Sequence, residues 1–187
     1  MGARRVLRWA LVAGIGAYAV VLMPYVRALW WLHAGGEPAA HLLVPVEGVA
    51  LENLRSSFGA PRAHGPHEGI DIAAPAGTPV FAVAEGVIIG NRVSQIGGNV
   101  LWIMGRGRRL YYYAHLQELA PGMRMGRHIA AGELIGRVGN TGNAAATIPH
   151  LHFAIYLVTN DFYPFRLGPM DPYAVLQREA RAGDTPQ

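Results

Sequence analysis

The stretch NVLWIMGRGRRLYYYAH, residues 99–115, decides the fold class of this protein. It holds two runs rich in β-branched and aromatic residues, separated by Gly105-Arg106-Gly107-Arg108. Such runs around a glycine-bearing turn predict two strands joined as a hairpin. Runs of the same kind recur at residues 79–89 and 134–138. The sequence therefore predicts an all-β domain, built as an antiparallel β-sheet or sandwich.

The end of the chain carries a helical pattern at residues 171–182. Asp171 suits the N-cap position, and Pro172 suits the first helical position, where a missing N–H costs nothing. We predict a short C-terminal helix that completes a domain at residues 45–182, followed by a tail at 183–187.

The beginning of the chain is apolar. Residues 9–26 form an uncharged stretch of 18 residues, close to the roughly 20 that an α-helix needs to cross the hydrocarbon core. Apolar character resumes after Arg27 and continues to residue 32, so we predict a transmembrane signal-anchor helix at 9–32. A cleaved signal peptide is one alternative, but no small-x-small cleavage site directly follows the stretch. A buried core helix is the other, and it lacks an amphipathic face.

The charges that flank this stretch predict its orientation. Three arginines lie within residues 1–8, whereas Arg27 alone lies near the other end. By the positive-inside rule, we expect residues 1–8 to be cytoplasmic and the domain to be periplasmic or otherwise extracytoplasmic, held by a single pass in the inner or cytoplasmic membrane. Glycine and proline near residues 34–38 predict a short linker at 33–44.

Composition excludes several kinds of function. The chain has 187 residues, enough for one core, and a formal net charge of +4 that comes entirely from arginine. No basic run is interleaved with aromatic residues in a recognisable module, so we expect no nucleic-acid partner. Cysteine is absent, and any metal must therefore be bound by nitrogen and oxygen.

Two compact motifs carry the candidate chemistry: His67-Glu68-Gly69-Ile70-Asp71 and His150-Leu151-His152. Residues two apart share a face only in a strand, so both histidines of the second motif can reach one site only if that segment is extended. A spacing of four fits a helix or a strand, but Gly69 between flanking prolines favours extended or turning chain for the first motif.

Two nitrogen donors and one carboxylate oxygen make a familiar catalytic zinc set, because the fourth tetrahedral position stays available for water. Zinc lowers the pKa of such a water to about 7, so hydrolysis is the expected reaction. The helical signature of two histidines around a glutamate base is absent. His115 and the member of the histidine pair that does not bind metal are the candidates for handling the proton.

With these motifs, the sequence resembles the lysostaphin/LytM-type zinc metallopeptidases, also called glycyl-glycine endopeptidases. The resemblance runs from about Pro45 to Tyr173. It is carried by the following segments: Phe58-Gly59, His67 to Pro75, Gly77 to Val80, Gly86-Val87, Tyr113 to Leu116, Gly132 to Gly136, Gly139 to Asn143 and Pro149 to Phe153.

The resemblance implies that His67, Asp71 and His152 bind one Zn²⁺ per chain. It also implies that His115 and His150 stand near the metal, where they help to activate water or stabilise the oxyanion. A β-sheet core with a groove for an extended peptide is the implied fold, and the peptide stem or cross-link of peptidoglycan is the implied substrate.

The sequence departs from the commonest family pattern in two places. Ala154 stands where a glutamate that is not a ligand often follows the histidine pair. The loop at residues 144–148 is longer than in compact members and is expected to border the groove, where it bears on substrate preference.

The expected function is a zinc endopeptidase that cuts peptidoglycan. A non-catalytic wall-binding or amidase-activating member is one alternative, although such members typically lose zinc ligands and this chain retains all three. A peptidase of another envelope substrate is the other alternative. Whether the protein has a regulatory partner in the envelope stays an open question.

Overall fold

The computed structural model describes residues 9, 22, 23, 25–33, 36–63, 65–160 and 166–183. Its strands are β1 (Pro61–Arg62), β2 (Gly65–Pro66), β3 (Ile70–Ala73), β4 (Pro79–Phe81), β5 (Gly86–Ser94), β6 (Gly98–Gly105), β7 (Arg109–Leu116), β8 (Glu118–Leu119), β9 (His128–Ile129), β10 (Leu134–Arg137), β11 (His150–Val158) and β12 (Leu167–Met170). Two 3₁₀ turns cover Leu51–Asn53 and Gly142–Ala144, and the C-terminal helix covers Pro172–Gly183. Residues 25–33 are also helical.

The strands form one large antiparallel sheet and two small ones. The large sheet has the order β12-β11-β7-β6-β5-β9, with β3 pairing beside β11. A second sheet has the order β4-β10-β8, and β1 pairs with β2. The main core contains buried residues of both larger sheets, such as Val80 and Ile135 from the second and Tyr113 and Phe153 from the first. The antiparallel all-β prediction and the C-terminal helix are confirmed.

The hairpin that was predicted from residues 99–115 is β6 and β7, with Met104 opposite Leu110. Alternate residues of β7 face opposite sides of the sheet. Tyr111 and Tyr113 belong to the main core, whereas Leu110 packs in a second apolar cluster. The hydroxyl of Tyr113 is satisfied in the core by the backbone N–H of Val83, which donates to it at 3.0 Å.

The second apolar cluster also includes residues from the N-terminal part of the chain. Trp31 and Leu32 pack with Met104 and Tyr156 of the large sheet, and Trp31 is only 6% exposed. The guanidinium of Arg106 lies 5.3 Å from the Trp31 ring centroid, within the range of a cation–π contact. This end of the helical segment 25–33 is therefore packed on the domain.

The predicted membrane span at residues 9–32 falls mostly on residues outside those described. The predicted cytoplasmic segment 1–8 and the tail from residue 184 also lie outside them. Within the part of the chain that the structure describes, no helix combines the length and apolar character needed to traverse a bilayer.

Candidate metal centre

Antiparallel pairing of β3 with β11 brings the two histidine motifs together. His152 stands directly opposite Asp71, and His150 stands opposite Ala73. The predicted extended conformation of the second motif is thus confirmed. His67 precedes β3, and its backbone exchanges hydrogen bonds with Gly59 and Ala60 at 2.8 and 2.9 Å.

Three donor atoms converge where these segments meet. His67 Nε2 lies 2.8 Å from His152 Nδ1, and both nitrogens lie 3.2 Å from Asp71 Oδ1. Ligands bound tetrahedrally to zinc at about 2.05 Å stand roughly 3.3 Å apart. The two separations of 3.2 Å match that value and the third, 2.8 Å, is about 0.5 Å shorter, so the donor set fits a zinc ion after a small outward shift of the rings. Among the described residues, His67, Asp71 and His152 form such a cluster.

Hydrogen bonds orient the His67 ring for metal binding. Its Nδ1 lies 2.9 Å from the Ser57 carbonyl oxygen and donates to it, which leaves the Nε2 lone pair free in the neutral ring. Histidines that bind metals commonly use their second nitrogen in this way. The Ser57 hydroxyl in turn accepts from the Asp71 backbone N–H at 3.2 Å, so one residue supports two of the ligands.

Gly69 allows the His152 ring to lie close to the backbone. A Cβ atom at this position would stand 2.5 Å from the Phe153 carbonyl oxygen and 2.9 Å from His152 Cε1. Those distances are too short for any side chain, so the first motif needs glycine here for a steric reason.

The carboxyl group of Asp71 stays ionised at neutral pH. Burial alone would raise its pKa, but the close side-chain contacts with His152 and His67 outweigh burial and hold the pKa well below its ordinary value. Its second oxygen, Oδ2, lies 2.7 Å from Arg62 Nη2.

His115 and His150 stand beside the ligands. Their ring centroids are 5.0 Å apart, and the His115 centroid is 5.9 Å from that of His152. His115 Nδ1 donates to the Thr141 carbonyl at 2.8 Å, and His150 Nδ1 donates to the Ile148 carbonyl at 2.9 Å. The Nε2 atom of each neutral ring is therefore a proton acceptor, and that of His150 lies 3.8 Å from Asp71 Oδ1.

Burial lowers the pKa of His115 to about 4, and the hydrogen bond to the Thr141 carbonyl only partly opposes it. A neutral ring at this position can accept a proton at neutral pH. His115 also has a φ of 60°, a conformation that is uncommon outside glycine. Its backbone N–H donates to the Gly97 carbonyl at 2.7 Å, which helps to hold it there.

Aromatic rings continue from the metal ligands across the sheet. Tyr112 lies 5.8 Å from His152 between centroids, Trp102 stacks on Tyr112 at 4.1 Å, and Tyr156 lies 5.8 Å from Trp102. The Tyr156 hydroxyl donates to the exposed carboxylate of Glu68 at 3.0 Å. We call Tyr112, Trp102 and Tyr156 the aromatic floor.

All five residues that were predicted for the site are brought together by the structure. Sequence reasoning missed Ser57, Arg62, Thr141 and the aromatic floor. The partners of Ser57, Arg62 and Thr141 lie on other segments, so no local spacing marks them. The tyrosine run at 111–113 was a visible signal, but it was interpreted only as a strand.

The last residue of the loop at residues 144–148 contacts the site. The Ile148 carbonyl binds His150, while the Ile148 side chain is 72% exposed. Nearby, the Asn143 N–H donates to the Ile96 carbonyl at 3.0 Å, which ties the preceding 3₁₀ turn to the β5–β6 hairpin.

The proposed ligands lie within a region of the chain that is similar to known peptidases. The sequence profile of peptidase family M23 matches residues 65–164. Peptidoglycan DD-endopeptidase ShyA of Vibrio cholerae is 33% identical over 108 residues, which cover 54% of this chain and 24% of that protein. The L-Ala–D-Glu endopeptidase of Bacillus subtilis is 34% identical over 112 residues, covering 56% and 34%. The chain therefore matches about a quarter to a third of the length of these curated relatives.

Solved structures agree with this comparison. The catalytic domain of the antimicrobial peptidase lysostaphin from Staphylococcus simulans superimposes with a TM-score of 0.55 at 29% identity, covering 68% of this chain and 95% of that domain. Csd3 of Helicobacter pylori gives a TM-score of 0.52 at 27% identity, covering 78% and 39%.

Proposed function

The chain belongs to peptidase family M23, and on that premise we propose that it is a zinc endopeptidase that hydrolyses peptide cross-links or stems of bacterial peptidoglycan. The observation that carries the proposal is the convergence of His67 Nε2, His152 Nδ1 and Asp71 Oδ1 within 3.2 Å of one another. Zinc held there would acidify water and polarise the scissile carbonyl group.

The remaining residues of the site handle protons and orientation. His115 Nε2 accepts a proton from the attacking water, since its Nδ1 is committed to the Thr141 carbonyl. His150 presents Nε2 beside it, with the two ring centroids 5.0 Å apart, and is held by the Ile148 carbonyl. In its protonated form it can donate a hydrogen bond to the oxyanion that develops as the carbonyl is attacked.

Two rings of the aromatic floor, those of Tyr112 and Trp102, support an extended peptide as substrate. They are half-buried and lead away from His152, whereas Tyr156 is 7% exposed and belongs to the cluster of Trp31 and Leu32. Flat aromatic surfaces pack well against a peptide backbone and small side chains. Peptidoglycan is proposed as the substrate because of the relatives: one is named for a peptidoglycan DD-endopeptidase activity and another for an L-Ala–D-Glu endopeptidase activity. Because those two names describe different bonds, we propose cleavage in the peptide part of peptidoglycan without assigning one bond.

We also propose that the chain is held in the inner or cytoplasmic membrane by a single N-terminal span, with residues 1–8 in the cytoplasm and the domain on the periplasmic or extracytoplasmic side. The support is the uncharged stretch at residues 9–26 and the arginines before it. On the described part of the helix, Tyr25, Leu29 and Trp30 are exposed apolar residues.

Digestion of purified sacculi tests the enzymatic proposal. The full chain in detergent, loaded with zinc, is incubated with sacculi, and the released fragments are identified by mass spectrometry. New amine and carboxyl ends at one kind of peptide bond support the proposal. His152→Ala is the matched control and should release nothing.

Intact sacculi, or equal digestion by His152→Ala, would overturn the enzymatic proposal. Intact sacculi that nevertheless retain the protein on sedimentation would favour the wall-binding alternative.

A further inference from the structure

The two oxygens of Asp71 have different neighbours. Oδ1 faces His67 Nε2 and His152 Nδ1 at 3.2 Å each. Oδ2 points to Arg62, whose Nη2 stands 2.7 Å away. Charge-assisted hydrogen bonds of this length are among the stronger polar contacts in proteins, so the carboxylate is held in one orientation.

The segment that carries Arg62 is the one that carries His67. Arg62 lies on β1, which forms a hairpin with β2 and places Arg62 opposite Gly65. The base of that hairpin is closed where Gly59 and Ala60 exchange backbone hydrogen bonds with His67. Arg62 is therefore positioned by the same local structure that positions a proposed zinc ligand.

We propose that Arg62 is a positioning residue that limits Asp71 to binding the metal through Oδ1 alone. The inference rests on the metal site of the proposed function. A carboxylate can bind zinc through one or both oxygens, and a second bound oxygen would occupy space that an open catalytic site keeps for water. With Oδ2 engaged by the guanidinium, the carboxylate cannot turn both oxygens toward the metal. Outer hydrogen-bond partners of this kind commonly orient ligands and tune the metal.

Exposure supports a polar rather than a packing role. The Arg62 side chain is 50% exposed and that of Asp71 is 25% exposed. Removal of Arg62 therefore leaves no buried cavity, and the effect of a substitution can be assigned to the lost contact with Oδ2.

Cobalt substitution tests this proposal without relying on turnover. Co²⁺ in a four-coordinate site absorbs visible light several times more strongly than in five- or six-coordinate sites. The full chain in detergent is loaded with one equivalent of Co²⁺, and its visible spectrum is compared with those of Arg62→Ala, Arg62→Lys and Arg124→Ala. Arg124, an exposed arginine between β8 and β9, is the matched control.

The expected result is a severalfold weaker visible absorption for Arg62→Ala at full Co²⁺ occupancy. Arg62→Lys should retain most of the intensity because an ammonium group can still bind Oδ2, and Arg124→Ala should match the unsubstituted protein. With zinc, Arg62→Ala should lower kcat while KM changes less than twofold.

An Arg62→Ala spectrum identical to that of the unsubstituted protein at full occupancy would overturn the inference alone. Failure of the unsubstituted protein to bind Co²⁺ or Zn²⁺ would instead overturn the metal site of the proposed function. Thermal unfolding of each variant checks folding. Arg62→Met, which retains an aliphatic side chain, replaces Arg62→Ala in the comparison if that variant is unfolded.

Discussion

Asp71 and His152 occupy opposite positions on adjacent antiparallel strands, with His152 Nδ1 3.2 Å from Asp71 Oδ1. The pairing of β3 with β11 therefore sets the distance between two proposed zinc ligands that are 81 residues apart in sequence. Disturbing that pairing should weaken metal binding, whereas removing a group that only faces the metal should leave metal binding unchanged.

His152→Ala and His115→Ala should separate these two roles. We expect His152→Ala to lose stoichiometric zinc, because one of three ligands is gone. His115→Ala should retain zinc and lose turnover by about 10²- to 10⁴-fold, because it removes the proposed proton acceptor. Zinc content by mass spectrometry and kcat on sacculus fragments are the measurements. Loss of zinc in His115→Ala would show that its assigned role is wrong.

Gly69→Ala should damage the site through sterics alone. The added methyl group would stand 2.5 Å from the Phe153 carbonyl and 2.9 Å from His152 Cε1. Overpacking of this kind destabilises a protein by about 1–3 kcal/mol, and displacement of the His152 ring should weaken zinc binding.

Gly90→Ala provides the control for Gly69→Ala, since its nearest neighbour would be Trp102 Cδ1 at an ordinary 3.6 Å. Chemical unfolding and competition with a zinc chelator measure the two effects. Equal effects in both variants would contradict the steric explanation.

Glu179→Ala should strongly destabilise the fold. Glu179 on the C-terminal helix pairs with Arg109 of β7 at 2.5 Å, and both side chains are about nine-tenths buried. Leaving a buried guanidinium without its partner costs about 3–5 kcal/mol. The double variant Arg109→Met/Glu179→Leu should recover most of that loss, as measured by urea unfolding. A double variant as unstable as Glu179→Ala would show that the lost charge pair is not the cause.

Trp30 and Trp31 should respond differently to lipid. Trp30 is 58% exposed, whereas Trp31 is 6% exposed and packed on the sheet. Variants that retain one of these tryptophans, with the chain's other tryptophans replaced by phenylalanine, are reconstituted in vesicles that contain brominated lipids. We expect strong fluorescence quenching for Trp30 and weak quenching for Trp31.

Two outcomes would contradict that expectation. Equal quenching of both tryptophans would show that the helix leaves the domain in a bilayer. Absence of quenching in both would argue against a membrane contact at residues 25–33 and would weaken the proposed anchor.

Much of the site could be predicted because its chemistry is local. The alternation of side chains in a strand places His150 and His152 on one face whatever the rest of the chain does. Glycine-bearing turns and β-branched runs similarly predicted the β6–β7 hairpin. The types of metal donor also followed from the absence of cysteine.

The sequence by itself thus determined the strand character of the domain, the available donors and the extended conformation of the second motif. Only the tertiary structure decided that Asp71 faces His152, that His67 uses Nε2 and His152 uses Nδ1, and that Arg62 and Ser57 support the ligands. The physical reason is that these contacts depend on strand register and on loops that meet across long sequence separations. Local periodicity specifies which face a side chain occupies, but it does not specify which distant residue stands opposite.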